Sequence, residues 1–407
     1  MRSHLSLRAQ PQKVPLYRAT QAGFTLSELL LASLLSVMIT SAVYQVFVNT
    51  STNYAKQLEH TQAQSNLRFA AERVKAELRD FGRLTVLNTT PNQRDPMYCG
   101  DRTYKGLELK DNDTGDGFYE RPEALELNQV RPDRLRLLID ASNATPLLVQ
   151  RASGANLTLA PVQLQTSRAS KRLMSPGSEA RFRRLFEGAL ARVTQVQTGR
   201  YDVVPVSGVV ADNARTVRLD EAPCASLACA AGGCVITPLH WSELAIVADA
   251  RSPENTRLVR RRLELATGAP IAGSELVLAD YAVDFQVWGD YDTRGLDPRA
   301  AAPQVTTRAP EVPADAIIND DQGNWVAGGV SEAEVMNRWP HRLRGLSFLL
   351  AVRTPRIDPA FKDPIVIAQP TPQERVSFKL RSADREGFTH VTTLTGSVEN
   401  AHLYRGD

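Results

Sequence analysis

The sequence predicts an α+β protein in which a long N-terminal helix, membrane-spanning in its first half, packs on a β-rich globular head. Three features of the 407-residue chain lead to this fold class. An uncharged apolar run, Leu29–Val48, lies near the N-terminus. A polar segment with apolar residues at every third or fourth position follows it. Beyond that segment, short alternating stretches rich in β-branched side chains are separated by turn-forming residues.

Charge and hydropathy divide the chain into a leader at 1–23, a helix at 24–82 with its membrane-spanning part at 24–48, and a head at 83–407. The leader carries four basic and no acidic residues, and the remainder carries 44 basic against 45 acidic residues. Because basic flanks stay in the cytoplasm, we expect a cytoplasmic N-terminus and a translocated head. The balanced remainder gives no indication of nucleic-acid binding.

The apolar run has three possible explanations: a cleaved secretory signal, a plain anchor, or a third one that depends on the residues at its start. Twenty helical residues span about 30 Å, which matches a bilayer core. A signal peptidase could cut near Ser41 and Ala42, but the run exceeds the usual apolar region of about 7–15 residues. A plain anchor explains the length but not Glu28, whose carboxylate costs roughly 2.5–3.5 kcal/mol if it is placed deep and unpaired.

The segment Gly23–Glu28, with the sequence GFTLSE, resembles the processing site of type IV prepilins. This resemblance implies that a prepilin peptidase cuts between Gly23 and Phe24 and that the new N-terminus of Phe24 is methylated. Glu28 follows Phe24 by four residues and shares its helix face. We therefore expect the carboxylate to pair with a terminal amine, its own or a neighbouring subunit's, and to set axial register during assembly.

The helix is expected to continue beyond the membrane and to pack on the head. No proline lies between Phe24 and Thr90, so the helix should be unbroken, with Gly82 as its stop. The stripe mixes residue sizes without a clean heptad, which favours packing on the head over a free coiled coil. Its apolar members are Tyr54, Leu58, Leu67, Ala70, Val74, Leu78 and Phe81.

The head is expected to contain many strands, two short helices and one long loop. The helices are expected at 178–193 and 331–339, each with a serine at its N-cap. Four prolines favour a loop or insertion at 296–324. Predicted strands are 133–140, 146–152, 156–162, 215–220, 243–249, 257–265, 281–292, 345–354, 374–382 and 390–399.

The C-terminal third resembles the PilW-like minor pilins and the related J-type pseudopilins of type II secretion. The resemblance lies in the order of four segments: LVRRRLEL, LVLADYAVDFQVWGDYDTRG, RLRGLSFLLAVRT and HVTTLTGSVENAHLYR. It implies a sheet-rich head that ends in a closing strand. The region 95–239 resembles no part of these families and makes the chain longer than typical relatives.

The four cysteines are expected to form disulfides, because the head is exported. Zinc clusters favour CxxC pairs, and the sequence has none. Since three of the four cysteines lie close together, two bridges require the distant one to pair with one of the three. The sequence leaves that choice open among Cys99, Cys224, Cys229 and Cys234.

The acidic segment DNDTGDGFYE is a weak candidate for calcium. Asp111, Asp113 and Asp116 would supply hard oxygen ligands. However, Gly115 falls at a ligand position of an EF-hand loop and the twelfth position lacks glutamate, so a solvated turn is favoured. No cofactor is expected otherwise.

The sequence does not indicate an enzyme. Its six histidines form no metal-binding pattern, and it contains no GxSxG, P-loop or GxGxxG motif. The four tryptophans are interpreted as packing residues. The basic run RLVRRRLEL alternates at strand period and is expected to face solvent.

The resemblance implies a minor pilin of a Gram-negative bacterium that joins a tip or priming complex and promotes pilus assembly, and hence motility or adhesion. Its partners would be other minor and major pilins, the prepilin peptidase, the inner-membrane assembly platform and membrane lipid. The precursor would cross the inner membrane once, and the assembled subunit would lie in the pilus across the periplasm and cell surface. The alternatives are a J-type pseudopilin and a membrane-tethered adhesin or enzyme with a ligand-binding head.

Overall fold

The computed structural model contains a long N-terminal helix and antiparallel sheets, which confirms the α+β prediction. The chain forms two compact units, which divide between Leu58 and Glu59. The structure describes residues 25–80, 97–102, 104, 106–110, 122–141, 146–211, 215–229, 232–249, 251–292, 305–307, 318–319, 325–326, 336, 343–358, 377–381 and 386–399.

The helices and strands are named in chain order. The helices are α1 (Leu26–Asp80), α2 (Glu123–Leu127), α3 (Arg168–Met174) and α4 (Glu179–Phe186), with a 3₁₀ turn at Val162–Leu164. The strands are β1 (Leu107–Lys110), β2 (Arg134–Asp140), β3 (Leu147–Ser153), β4 (Asn156–Leu159), β5 (Leu190–Gln195), β6 (Tyr201–Val210), β7 (Thr216–Leu219), β8 (Cys234–Asp249), β9 (Ser252–Arg262), β10 (Leu276–Asp280), β11 (Ala282–Asp292), β12 (Val305–Thr307), β13 (Ile318–Asn319), β14 (Trp325–Val326), β15 (Leu343–Arg353), β16 (Ser377–Arg381) and β17 (Glu386–Glu399).

Helix α1 changes character along its 55 residues. Every side chain from Leu26 to Val48, in the first unit, is exposed. In the second unit, one face of the helix lies in the core of the head, as Leu67, Ala70, Val74 and Leu78 of the apolar stripe predicted. The stripe was wrong at Tyr54 and Leu58, which are exposed in the first unit, and Phe81 lies outside the described residues. The buried residues of that face are Ala63, Leu67, Ala70, Ala71, Val74 and Leu78. The predicted ends, Phe24 and Gly82, lie outside the described residues.

The 16-residue strand β8 is shared by two substructures. Near its start, Ile236 pairs with Leu147 of β3 on one edge and Val193 of β5 on the other. Further along, the neighbours become β2 and β9. The strands β8, β3, β4, β7, β6 and β5 pair in that order, and β5 pairs again with β8. These six antiparallel strands therefore form a closed barrel, in which every strand has two neighbours.

Helices α3 and α4 contribute to the barrel core, which is separate from the core around α1. Phe182 and Phe186 of α4 are fully buried, and their rings lie 5.0 Å apart. The buried Arg215, just before β7, donates to the carbonyl oxygens of Leu173 and Ser175. It thereby fixes the turn that joins α3 to α4.

The second core lies between α1, the β1–β2–β8–β9–β10 part of the first sheet and a second sheet ordered β12–β11–β15–β17–β16. At Gly396 of β17, a Cβ atom would lie 2.6 Å from the Phe348 ring and 3.1 Å from the Lys75 side chain of α1. Glycine therefore lets the helix approach the sheet closely.

Two sequence predictions need correction. The helix expected at 178–193 ends at Phe186, and Leu190–Gln195 forms strand β5. Gly188 has a φ of +65°, which ends the helical path, and pairing with β6 and β8 then stabilises the strand. The loop expected at 296–324 contains β12, which pairs with β11. Of the helix expected at 331–339, only the helical Met336 lies within the described residues.

Candidate functional site: an exposed apolar helix with an acidic head

The first unit presents an apolar surface that has no packing partner within it. Among the residues that the structure describes, α1 is the helix that is long and apolar enough to cross a membrane. Its most apolar 18-residue window has a mean hydropathy of 1.9, and none of that window is buried. This finding fits a single-pass membrane protein. The exposed large side chains include Leu29, Leu31, Val37, Ile39, Val43, Val46 and Phe47.

Glu28 closes the N-terminal end of this helix. The carbonyl oxygen of Thr25 accepts the first helical bond, from Leu29 N at 3.2 Å. Glu28 Oε2 accepts from Thr25 N at 2.9 Å and from Thr25 Oγ1 at 2.8 Å, and Glu28 N donates to Thr25 Oγ1 at 3.3 Å. This reciprocal arrangement is a capping box, which the TLSE sequence permitted and which was missed.

The capping box gives the acid a role within its own chain, beside the one expected from assembly. It satisfies backbone N–H groups that would otherwise lack a partner at the helix start, and it offsets part of the cost of placing a carboxylate there. Gly23 and Phe24, the expected cleavage site, lie outside the described residues. The pairing of Glu28 with a terminal amine stays a prediction.

The four cysteines form two disulfides, as expected, and the structure supplies the pairing that the sequence left open. Cys99 bonds to Cys224 with a Cα–Cα distance of 6.1 Å, and Cys229 bonds to Cys234 with a Cα–Cα distance of 4.9 Å. The backbone N–H of Cys99 donates to Tyr201 O of β6 at 2.9 Å. The Cys99–Cys224 bridge therefore connects the chain between β7 and β8 to a residue that is bound to β6. The connection between β7 and β8 is therefore held by both bridges.

Asp202 of β6 stabilises the position of Cys224. Its Oδ2 accepts from Cys224 N at 2.8 Å, and its Oδ1 accepts from Val203 N at 2.8 Å. Burial raises the pKa of this carboxyl group, against the lowering effect of the two N–H donors. These contacts connect β6 to the segment that carries Cys224.

The basic run of β9 does not simply face solvent, which corrects the sequence interpretation. Arg260 lies 2.7 Å from Glu77 of α1, and Arg261 donates to the fully buried Glu243 at 2.7 Å. Glu243 also accepts from Arg136 at 2.9 Å, and Glu108 lies 3.2 Å from Arg136. These side chains form a row of alternating charge across β1, β2, β8 and β9.

His240 of β8 forms a second buried polar group, which the sequence gave no reason to single out. Its Nδ1 lies 2.6 Å from an Arg262 guanidinium nitrogen, and its Nε2 lies 2.8 Å from Leu185 O. Burial, aided by the Arg262 charge, lowers the pKa of His240 to about 3. Neutral His240 therefore accepts at Nδ1 and donates at Nε2. Arg262 also donates to Glu187 O at 3.1 Å, and so holds the C-terminal end of α4.

No metal centre is found within the described residues: nowhere among them do three or more His, Cys, Asp or Glu side chains group to hold an ion. The calcium candidates Asp111, Asp113 and Asp116 lie outside those residues. All four cysteines are in disulfides, so none of them can act as a thiolate ligand of zinc.

Comparison of the chain with protein-family models, with curated proteins and with solved structures finds no match.

Proposed function

We propose that this chain is a minor pilin of the PilW-like kind, which enters a type IV pilus through α1 and promotes its assembly. The precursor waits in the inner membrane with its N-terminus in the cytoplasm. After cleavage between Gly23 and Phe24 it joins other minor and major pilins at the assembly platform. The proposal includes no catalytic role for the head.

The observation that carries the proposal is the unequal use of one continuous helix. Its second half is buried on one face in the head, and its first half exposes an uncharged apolar surface on all sides. Such a surface needs a non-aqueous environment. A bilayer provides one before assembly, and the apolar helices of neighbouring subunits provide one in a fibre.

The acid at the head of that surface has a capping role in its own chain and retains an acceptor for assembly. The Glu28 carboxylate accepts two hydrogen bonds from Thr25, one from its backbone N and one from Oγ1, and both fall on Oε2. An ionised carboxylate has further acceptor sites, and Oε1 accepts no hydrogen bond from the described residues, so it is available to a positively charged amine. In the low dielectric of packed helices, a matched pair is much less costly than a lone charge.

The proposal is tested first at the mature N-terminus. Mass spectrometry of the protein from its native membranes should find N-methylated phenylalanine, Phe24, as the first residue. Gly23→Leu should leave the uncut precursor. A mature chain that begins at another residue would refute the proposal.

The role of the charge is tested by variants that separate it from the cap. Glu28→Gln retains an oxygen that accepts from Thr25 N but removes the charge, whereas Thr25→Ala removes the hydroxyl contacts and retains the charge. We expect both variants to be cleaved, and only Glu28→Gln to be lost from sheared pili. Normal incorporation of Glu28→Gln would show that capping suffices and would contradict charge pairing.

A further inference from the structure

The helical pair α3–α4 carries a cluster of cations on the outside of the barrel. Six of its basic side chains are exposed: Arg168, Lys171, Arg172, Arg181, Arg183 and Arg184. None of the six forms an ion pair with a carboxylate among the residues that the structure describes. The two acids at this helical pair interact with other arginines: Glu179 of α4 lies 3.4 Å from Arg215, and the exposed Glu187, which follows α4, interacts electrostatically with Arg262. We call this surface the basic hairpin.

The barrel region has a net positive charge, whereas the rest of the chain beyond Gly23 has a net negative charge. Residues 146–239 contain eleven basic and six acidic residues, whereas the remainder beyond Gly23 contains 33 basic and 39 acidic residues. The positive charge is thus concentrated in the barrel part, 146–239, of the region that resembles no pilin segment. More than half of the eleven basic residues belong to the basic hairpin.

The fold forces these cations together. Arg215 binds the turn between the helices, and Arg262 binds the carbonyl oxygens of Arg184 and Glu187 at the end of α4. Leu173 of α3 and Phe182 of α4 point into the barrel core. The cations therefore cover the outer side of a rigidly held surface. Like charges three or four residues apart, such as Arg168 and Arg172, destabilise a helix, so this arrangement favours an anionic partner.

We propose that the basic hairpin binds the anionic headgroups of a phospholipid bilayer. Leu164 is 57% exposed in the 3₁₀ turn that precedes α3. An apolar side chain beside a cationic helix is typical of surfaces that lie against a membrane. Arginine suits headgroup phosphates because its planar guanidinium can donate two parallel hydrogen bonds.

Two observations favour lipid over nucleic acid. Residues 162–187 contain two aromatic side chains, Phe182 and Phe186, and both are fully buried. Aromatic platforms on which a single-stranded nucleic acid would stack its bases are therefore missing from this surface. In addition, the chain contains a helix of bilayer length, which would keep the head near headgroups. The proposal rests on membrane attachment and not on the pilin assignment.

The experiment uses the full-length protein in nanodiscs of phosphatidylcholine alone and in nanodiscs that also contain phosphatidylglycerol. Hydrogen exchange is followed in the peptides that cover 162–187. We expect slower exchange in the anionic discs and a return to the faster rate in high salt. Each arginine at an anionic surface should change the ratio of docked to free heads roughly fivefold, so three should change it roughly a hundredfold.

The matched variants carry the same change of charge at different places on the barrel. The triple variant Arg168→Glu, Arg172→Glu, Arg184→Glu should abolish the protection, and a version with glutamine at the same positions should weaken it without new charges. The control triple Arg151→Glu, Arg200→Glu, Arg218→Glu replaces exposed arginines elsewhere on the barrel. In this control variant, exchange in the peptides that cover 162–187 should still be slower in the anionic discs.

Three outcomes would overturn the proposal. Equal exchange in both kinds of disc would show that headgroup charge is not recognised. Equal losses in the two triple variants would show that only total charge matters. Protection by added duplex DNA in neutral discs, without protection by phosphatidylglycerol, would assign the surface to nucleic acid. Failure of peptidase cleavage would refute the pilin proposal and leave this one standing.

Discussion

The stability of the head should fall in mild acid because His240 is buried as a neutral side chain. The pKa of His240 in the folded protein is about 3, against about 6.5 in an unfolded chain. Between these values the unfolded state binds the extra proton. Stability is therefore complete above pH 6.5 and is lost as the pH falls toward 3.

The linkage relation gives the size of this loss. One titrating group with these two pKa values lowers the free energy of unfolding by about 2 kcal/mol between pH 7 and pH 5. The loss has a structural cause: a protonated ring would place a charge against Arg262 and would lose the Nδ1 acceptor that binds it. The C-terminal end of α4 would then be released from β9.

The matched variant is His240→Gln, whose amide can still donate to Leu185 O but does not titrate. Full-length protein in mild detergent is unfolded with urea at pH 7 and pH 5 and followed by tryptophan fluorescence, since Trp241 is adjacent in β8. We expect the wild type to lose about 2 kcal/mol more than the variant over this interval. Equal losses would refute the neutral, buried histidine, because all other titrating groups are common to both proteins.

Two further predictions concern the framework of the head. Gly396→Val should lower the free energy of unfolding by about 1–3 kcal/mol, because its side chain would overlap the Phe348 ring; Thr395→Val, at an exposed neighbour, should be nearly neutral in the same urea titration. Replacing Cys99 and Cys224 with serine opens a bridge across 125 residues and should cost roughly 5 kcal/mol. Replacing Cys229 and Cys234, which are five residues apart, should cost roughly 2 kcal/mol, so equal effects on the urea midpoint would contradict a loop-closure origin.

The sequence predicted the elements whose pattern is local. From Leu67 to Leu78 the stripe on α1 indicated the buried face correctly, because a 3.6-residue period reports which side of a helix meets the core. It does not report where along the helix the head begins, so Tyr54 and Leu58 were wrongly included. Alternation likewise located β11, β15 and β17, which pair with one another and form the centre of the second sheet.

The sequence could not predict the barrel, because closure depends on non-local pairing. The first four residues of β5, Leu190–Val193, were included in a helix because they do not alternate between apolar and polar. All four of these side chains are buried. β6 contains Pro205 and Gly208, which weaken a strand pattern, and a register shift occurs between Val206 and Gly208. Neither the second pairing of β5 with β8 nor the choice between disulfide partners leaves a local signal.

The sequence identified the exposed apolar run and the acid at its start, but not the hydrogen bonds that the acid forms. The apolar run and Glu28 were identified from the cost of burying a charge, and that reasoning assigned the carboxylate a terminal amine as its partner, either its own or a neighbouring subunit's. The hydrogen bonds between Thr25 and Glu28 show a partner three residues away. The sequence contains the capping-box pattern, a threonine followed three residues later by a glutamate. This pattern explains the acid's position at the helix start without reference to a second subunit.

The shared strand β8 determines how the enlarged middle of the chain can act. Leu239 pairs on one edge of β8 with Leu190 of the barrel strand β5, and on the other edge with Asp140 of β2, which lies outside the barrel. Because the backbone hydrogen bonds pass from one substructure to the other without a linker, the barrel cannot rotate against the core of the head unless it breaks sheet pairing. The basic hairpin is thus held in a fixed orientation to the buried face of α1 within the same compact unit. Anything bound there would act on the helix-bearing core through a rigid connection.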